Sequence, residues 1–347
     1  MKVGIVTLPL HFNFGGILQA YALQEVLHEW GDSFIIKYYQ HGVKATIKAL
    51  LYRQSGIFKF VKKQIRYDFL HEPFCLDELT SKGYDVLVVG SDQVWRPCMG
   101  VSREANVNRY FLKTMGKRKI KKISYAASFG VDYFDFTHEE KKEAQTLIKD
   151  FEAVSVRETF GITLCSEYLG RVDAKLVLDP TMLLKEADYL NIMGSSPFKT
   201  QNKHCFIYLL DYGKADNQET VKMLVPSKAE VFTAKVERSI LKKYFNTQTV
   251  EDWLAAIYNS DLMITDSFHG CVFSILFHKD FYVMENIIGG NARIYSLLSL
   301  FGLDDRLIDK NTNPEKIKPI NWQQIDLKLQ TLRKASFEFL SKALSYD

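Results

Sequence analysis

Short apolar runs that stop in a polar cluster recur along this chain, and they constrain its fold more than any other feature. Residues 85–89 (D-V-L-V-V) end in Gly90-Ser91-Asp92-Gln93, residues 122–127 in Ser128-Phe129-Gly130, and residues 153–156 in Arg157-Glu158. Runs that are apolar on both faces are how strands of a parallel sheet read. Between them lie segments with helical spacing, such as 17–30 and 138–148, the first closed by Gly31. A second series follows, with strands expected at 205–210, 229–233, 261–265 and 280–284. Its helices are expected at 216–224, 250–258, 271–278 and 291–301. Alternating strands and helices give parallel sheets covered on both faces. The expected fold class is α/β, with two Rossmann-like domains whose parallel sheets face each other across a cleft. The pattern predicts an N-terminal domain over 1–184, a linker over 185–203 and a C-terminal domain over 204–320. A C-terminal helix over 321–347 is a candidate for packing back on the first domain.

Composition narrows the class. With 47% hydrophobic and 25% charged residues in 347, the chain can bury two cores, and disorder is excluded. A net charge of +4 is too mild to imply a nucleic-acid binder by itself, and no nucleic-acid partner is expected. The basic residues are unevenly placed: segment 33–66 holds eight Lys or Arg and no acid, with Leu50, Leu51, Phe58 and Phe60 among them. That segment is a candidate peripheral membrane contact, beside the plainer reading of a solvated insertion. The five cysteines include no C-x-x-C pair, so neither a disulfide framework nor a zinc site is expected, and a reducing cytoplasmic setting is. Lys2 is the lone formal charge of the first 24 residues, but the apolar run stops at Pro9. A buried strand and a loop fit better than a signal peptide, and no apolar stretch of ~18 residues predicts a membrane-spanning helix.

Ligands of parallel sheets bind beyond the carboxyl ends of the strands, so the polar clusters are the candidate site. Thr265-Asp266-Ser267-Phe268-His269-Gly270 follows an apolar run and opens a helix. A helix N-terminus suits phosphate or carboxylate, and a histidine there suits proton transfer. The plainer reading is that Asp266 or Ser267 caps the helix and His269 packs. In the first loop, Asn13, Gly15 and Gly16 let backbone approach a ligand closely, or form a tight turn with none. Ser91, Asp92 and Gln93, beside Trp95, suit a sugar, with Asp92 as a base; Ser128 ends the next run. Arg157 can address an anion bidentately or pair with Glu158, and Arg293, after Gly289-Gly290-Asn291, is a second anion candidate. There is no Walker A, H-E-x-x-H or G-x-S-x-G motif, and the first loop is not G-x-G-x-x-G.

Taken in order, V-G-I-V-T…N-F-G-G-I-L-Q-A-Y-A-L-Q, V-V-G-S-D-Q-V-W, S-V-R-E, L-D-P-T-M-L-L and D-S-F-H-G resemble the polysaccharide pyruvyl transferase family. The resemblance runs from residue 3 to about 303. It implies a glycosyltransferase-B-like architecture. It also implies transfer of the pyruvyl group of phosphoenolpyruvate onto two hydroxyls of a sugar, polysaccharide or lipid-linked, with release of phosphate. Arg157 and His269 fall on family positions that contact phosphoenolpyruvate, and Arg293 is the candidate for a later basic residue. Ser267, Gly270 and Asp266 share the last motif. Members with established chemistry resemble Arg-Leu-His where this chain has Ser267-Phe268-His269. One cation is therefore missing, and either another residue holds phosphoenolpyruvate or the substrate differs. The implied chemistry needs no metal or nicotinamide. Two other classes fit the same architecture: a nucleotide-sugar glycosyltransferase and a non-catalytic sugar- or anion-binding relative.

Overall fold

The computed structural model describes residues 1–38, 51–71, 74–99, 102–115, 120–194, 196, 204–210, 215–234, 247–286 and 290–345. The chain forms two compact units. The first comprises Met1–Ala49, Val61–Leu183 and Gln330–Asp347, and the second comprises Leu50–Phe60 and Leu184–Leu329.

In the first unit, strands β1 (Lys2–Val6), β2 (Asp32–Tyr38), β3 (Tyr67–Leu70), β4 (Phe74–Cys75), β5 (Val86–Val89), β6 (Thr114–Met115) and β7 (Lys121–Ser124) follow one another. The main sheet has the order β3-β2-β1-β5-β7. All its pairs are parallel. A short parallel pair, β8 (Ser155–Val156) and β9 (Lys175–Leu176), joins it through bridges Ile123↔Ala153 and Ala127↔Val156. Val86–Val89 is buried at every position, as a strand covered on both faces must be. The helix Phe14–Leu27 is buried nearly all round because its sequence is apolar nearly all round. Of its two buried glutamines, Gln24 donates to Gln64 O at 3.0 Å and accepts from Arg66 N at 2.8 Å. From the last helix, Trp322–Leu344, Ser336 Oγ accepts the Leu178 N–H at 3.0 Å and Arg333 Nε donates to Met182 O at 2.5 Å.

In the second unit the strands are β10 (His204–Tyr208), β11 (Glu230–Thr233), β12 (Leu262–Thr265), β13 (Asp280–Met284) and β14 (Leu307–Ile308). They form a parallel sheet in the order β11-β10-β12-β13-β14. Its core includes Ile207, Leu209, Ile264, Met284 and Ile308.

The structure departs from the sequence reading in four places. Within the expected linker, Glu186–Met193 is a helix with Tyr189, Ile192 and Met193 buried. The helices Gly56–Gln64, Arg103–Tyr110 and Thr159–Leu169 and the strand β3 had no clear periodicity to announce them. Residues 50–60 group with the second unit. Of the basic segment, 39–50 lie outside the described residues, and Phe60 is wholly buried, which removes it from any lipid contact. Among the described residues no helix is long and apolar enough to cross a membrane.

Candidate functional site

Both sheets are doubly wound, and each reverses its strand order once: between β1 and β5 in the first unit, between β10 and β12 in the second. Crevices at such switch points, beyond the carboxyl ends of the strands, are where α/β sheets bind ligands. The candidate residues fall at these two places.

At the first switch point the strand ends are laced together. Thr7 Oγ1 donates to Ser91 O at 3.1 Å, and Gln19 accepts the Ser91 N–H at 3.0 Å while donating to Thr7 Oγ1 at 3.1 Å. Ser91 Oγ donates to Ala126 O at 2.9 Å. Asp92 follows with a φ of 70°, a left-handed conformation that Asp tolerates better than most residues. Its carboxylate meets Arg157, which is central to this end of the sheet. Arg157 donates to Asp92 Oδ1 at 3.0 Å, to Glu158 Oε1 at 3.0 Å and to Asp179 Oδ2 at 2.6 Å. The Arg157 and Glu158 side chains are fully buried, Asp179 and Asp92 nearly so. Burial alone would lower the Arg157 pKa, but Asp179, Asp92 and Glu158 outweigh it and push the value up. The guanidinium is thus held permanently charged. Asp179 is fixed in turn by the N–H of Thr181 at 3.0 Å and its hydroxyl at 2.6 Å.

Several first-unit residues expected to face a ligand also have structural duties. Asn13 caps the helix Phe14–Leu27 by accepting the Gly16 N–H at 3.1 Å. Gly15 and Gly16 lie inside that helix rather than in a loop, because it begins at Phe14 rather than Ile17. Gln93 Oε1 accepts from Arg96 at 3.0 Å, and Ser128 Oγ accepts the Gly130 N–H at 3.0 Å. Arg157, expected to grip an anion directly, turns three of its N–H groups to carboxylates and so positions Asp92. The pairing with Glu158 was the alternative read from sequence, whereas Asp179 was not assigned to the site. The signal for Asp179 was present in L-D-P-T, where an acid precedes a helix-starting proline.

At the second switch point, Asp266 follows β12 and ties three strand ends together. Its carboxylate accepts the Leu210 N–H at 2.6 Å and Asn286 Nδ2 at 3.3 Å, beyond β10 and β13. Thr265 Oγ1 donates to Tyr208 O at 2.8 Å and accepts the Ser267 N–H at 3.0 Å. Ser267 caps the helix Phe268–Leu276 by accepting the Gly270 N–H at 3.4 Å. Gly270 also presses on Thr265, whose side chain a Cβ there would overlap. His269 lies in the first turn of this helix, 4% exposed, its ring 5.2 Å from that of Phe268. Arg293, in the first turn of Asn291–Phe301, sits with its guanidinium carbon 5.9 Å from the Phe268 ring centre. The second unit therefore sets Asp266, Ser267 and His269 at one helix start and brings Arg293 to Phe268, the residue between Ser267 and His269. Cys271 in the same helix is buried, and burial first, with Asp266 second, pushes its thiol pKa up. A cavity of about 360 Å³ in this unit is lined by Phe206, Phe232, Trp253 and neighbours, and none of the candidate residues borders it.

Two Rossmann-like units with polar constellations at their switch points make this an α/β protein of the glycosyltransferase-B-like kind. The chain belongs to the polysaccharide pyruvyl transferase family, a transferase family whose sequence model matches residues 13–286. Among solved structures it is similar to UDP-GlcNAc 2-epimerase from Neisseria meningitidis bound to UDP-GlcNAc, with a TM-score of 0.51, 11% identity, and 99% of this chain and 100% of that one covered. UDP-N-acetylglucosamine 2-epimerase from Rickettsia bellii is also similar, with a TM-score of 0.52, 9% identity, and 99% and 97% covered. The glycotransferase of kitacinnamycin gives a TM-score of 0.50, 10% identity and 99% of both chains. At these identities the likeness concerns the fold alone. No curated protein matches the chain by sequence.

Proposed function

We propose that this protein transfers the pyruvyl group of phosphoenolpyruvate onto two hydroxyls of one sugar residue, in a polysaccharide repeat or a lipid-linked precursor, as a cyclic ketal. The observation that carries this reading is the placing of His269, in a chain of this family, in the first turn of a helix that opens at a switch point. In the proposed reaction the imidazolium of His269 gives a proton to the methylene carbon, which becomes the methyl group. The neighbouring carbon takes up one sugar hydroxyl oxygen, and the C–O bond to phosphate then breaks with its electrons leaving on phosphate. A second hydroxyl oxygen closes the ketal. Of the two hydroxyl protons released, one restores His269 and one leaves with phosphate. Arg293 and the N-terminal dipole of the Phe268–Leu276 helix offset the charge of the anion.

The test is a thermal-shift titration with phosphoenolpyruvate and with uridine nucleotides, followed by phosphate-release assays on glycosides carrying vicinal or 4,6-diols. Protection by phosphoenolpyruvate and acceptor-dependent phosphate release are expected. Protection by uridine nucleotides alone would overturn the reading in favour of a nucleotide-sugar glycosyltransferase. Phosphoenolpyruvate binding with no phosphate release from any glycoside would favour a non-catalytic relative.

A further inference from the structure

Two features of the second unit hold Arg293 where it is. Its guanidinium carbon lies 5.9 Å from the centre of the Phe268 ring. Gly290, with a φ of 102°, passes so close that a Cβ there would sit 2.7 Å from Arg293 Nη2. The same Phe268 ring meets the His269 imidazole edge-on, with centroids 5.2 Å apart and planes at 89°. One aromatic side chain thus touches both the cation and the candidate proton donor.

We propose that Phe268 is a positioning residue that sets Arg293 beside His269, so that the two together receive a small anion bearing a carboxylate and a phosphate. This rests on the phosphoenolpyruvate reading above. A guanidinium and an imidazolium repel each other, and an aliphatic side chain between them would do nothing to offset that. The negative face of an aromatic ring attracts a cation and fixes the guanidinium plane, while its edge and face still pack against a neighbouring ring. Gly290 leaves the space that this seat requires. Phe268 is 6% exposed, and a leucine would fill the same hydrophobic position. Packing alone therefore does not demand the ring, and Phe268→Leu separates the two roles.

The experiment compares the parent, Phe268→Leu and Phe268→Tyr. Steady-state kinetics and binding of phosphoenolpyruvate are expected to show KM and Kd raised about 3- to 30-fold in Phe268→Leu, from the usual range of cation–π energies. kcat should change less than about 3-fold, and Phe268→Tyr should restore both constants. In ¹⁵N-arginine spectra of the ligand-free proteins, the Arg293 Nε–H order parameter should fall in Phe268→Leu and recover in Phe268→Tyr. An unchanged order parameter, or a Kd unchanged from the parent, would overturn the proposal. A parent with no affinity for phosphoenolpyruvate overturns the functional reading instead. The Arg293 Nε–H signal tells that failure apart from a failure of Phe268.

Discussion

Replacing Arg157 with methionine should be among the most damaging single changes in the first unit. The guanidinium holds three carboxylates at 2.6 to 3.0 Å, and all four side chains are nearly or fully withdrawn from water. Removing one partner of a buried ion pair costs about 3–5 kcal/mol, because the charge left behind has lost both water and its counter-ion. Here three such charges are left, from Asp92, Glu158 and Asp179. A loss of at least about 4 kcal/mol is therefore expected, against a typical total stability of roughly 5–15 kcal/mol. The deficit should depend on pH with a definite sign. Without Arg157 the buried carboxyls bind protons more readily folded than unfolded, so the variant loses stability as pH rises and recovers part of it as pH falls from about 8 to about 5. Urea unfolding gives the overall cost. Hydrogen exchange of peptides covering Val86–Val89 and Lys121–Ser124, compared with Leu262–Thr265, localises it to the first unit. Arg157→Lys, which keeps the charge but not the fork, should lose less. A methionine variant whose first-unit protection stays within about 1 kcal/mol of the parent, below the low end for a buried pair, would refute the reasoning.

Gly270→Ala should cost about 1–3 kcal/mol through overpacking, because its methyl would displace Thr265 and with it the hydrogen bonds to Tyr208 and Ser267; an unaltered melting temperature would contradict this. Asp68 is desolvated, which raises its pKa, but Lys82, Tyr84, Lys2 and the Phe69 N–H prevail and hold it at about 2. Its contribution to stability is complete above the unfolded carboxyl value of roughly 4 and lost as pH falls towards the folded one. Asp68→Asn should therefore flatten the acid limb of the stability–pH curve, which acid titration followed by circular dichroism would show.

Much of the fold was legible because the strands are short, apolar and bounded by polar clusters. The strand Asp280–Met284 and the helix Asn291–Phe301 coincide with the ranges read from sequence. The helix Phe268–Leu276 starts three residues earlier than expected, with Ser267, one of the two caps read from sequence, at its head. Elements such as Glu186–Met193 escaped notice because a stretch followed by Gly194, Ser195, Ser196 and Pro197 has the composition of a linker. The site was legible as a set of strand ends but not as a set of duties. Nothing local distinguishes an arginine that grips a ligand from one gripped by three carboxylates. Those carboxylates come from positions 92, 158 and 179, which only the sheet brings together. Phe268 likewise reads as one apolar residue among many, until the helix Asn291–Phe301 carries Arg293 onto its face.

In the proposed reaction the imidazole of His269 supplies the proton that turns the methylene of phosphoenolpyruvate into a methyl group. The direct measurement follows the ketal methyl by NMR in D₂O with an accepted diol glycoside, for the parent and for His269→Gln. The parent should yield a methyl carrying one deuterium with one phosphate released per ketal. The folded variant should be slower by about 10²–10⁴. Ketal formation by His269→Gln at the parental rate, or a methyl without solvent deuterium, would rule out His269 as the proton donor.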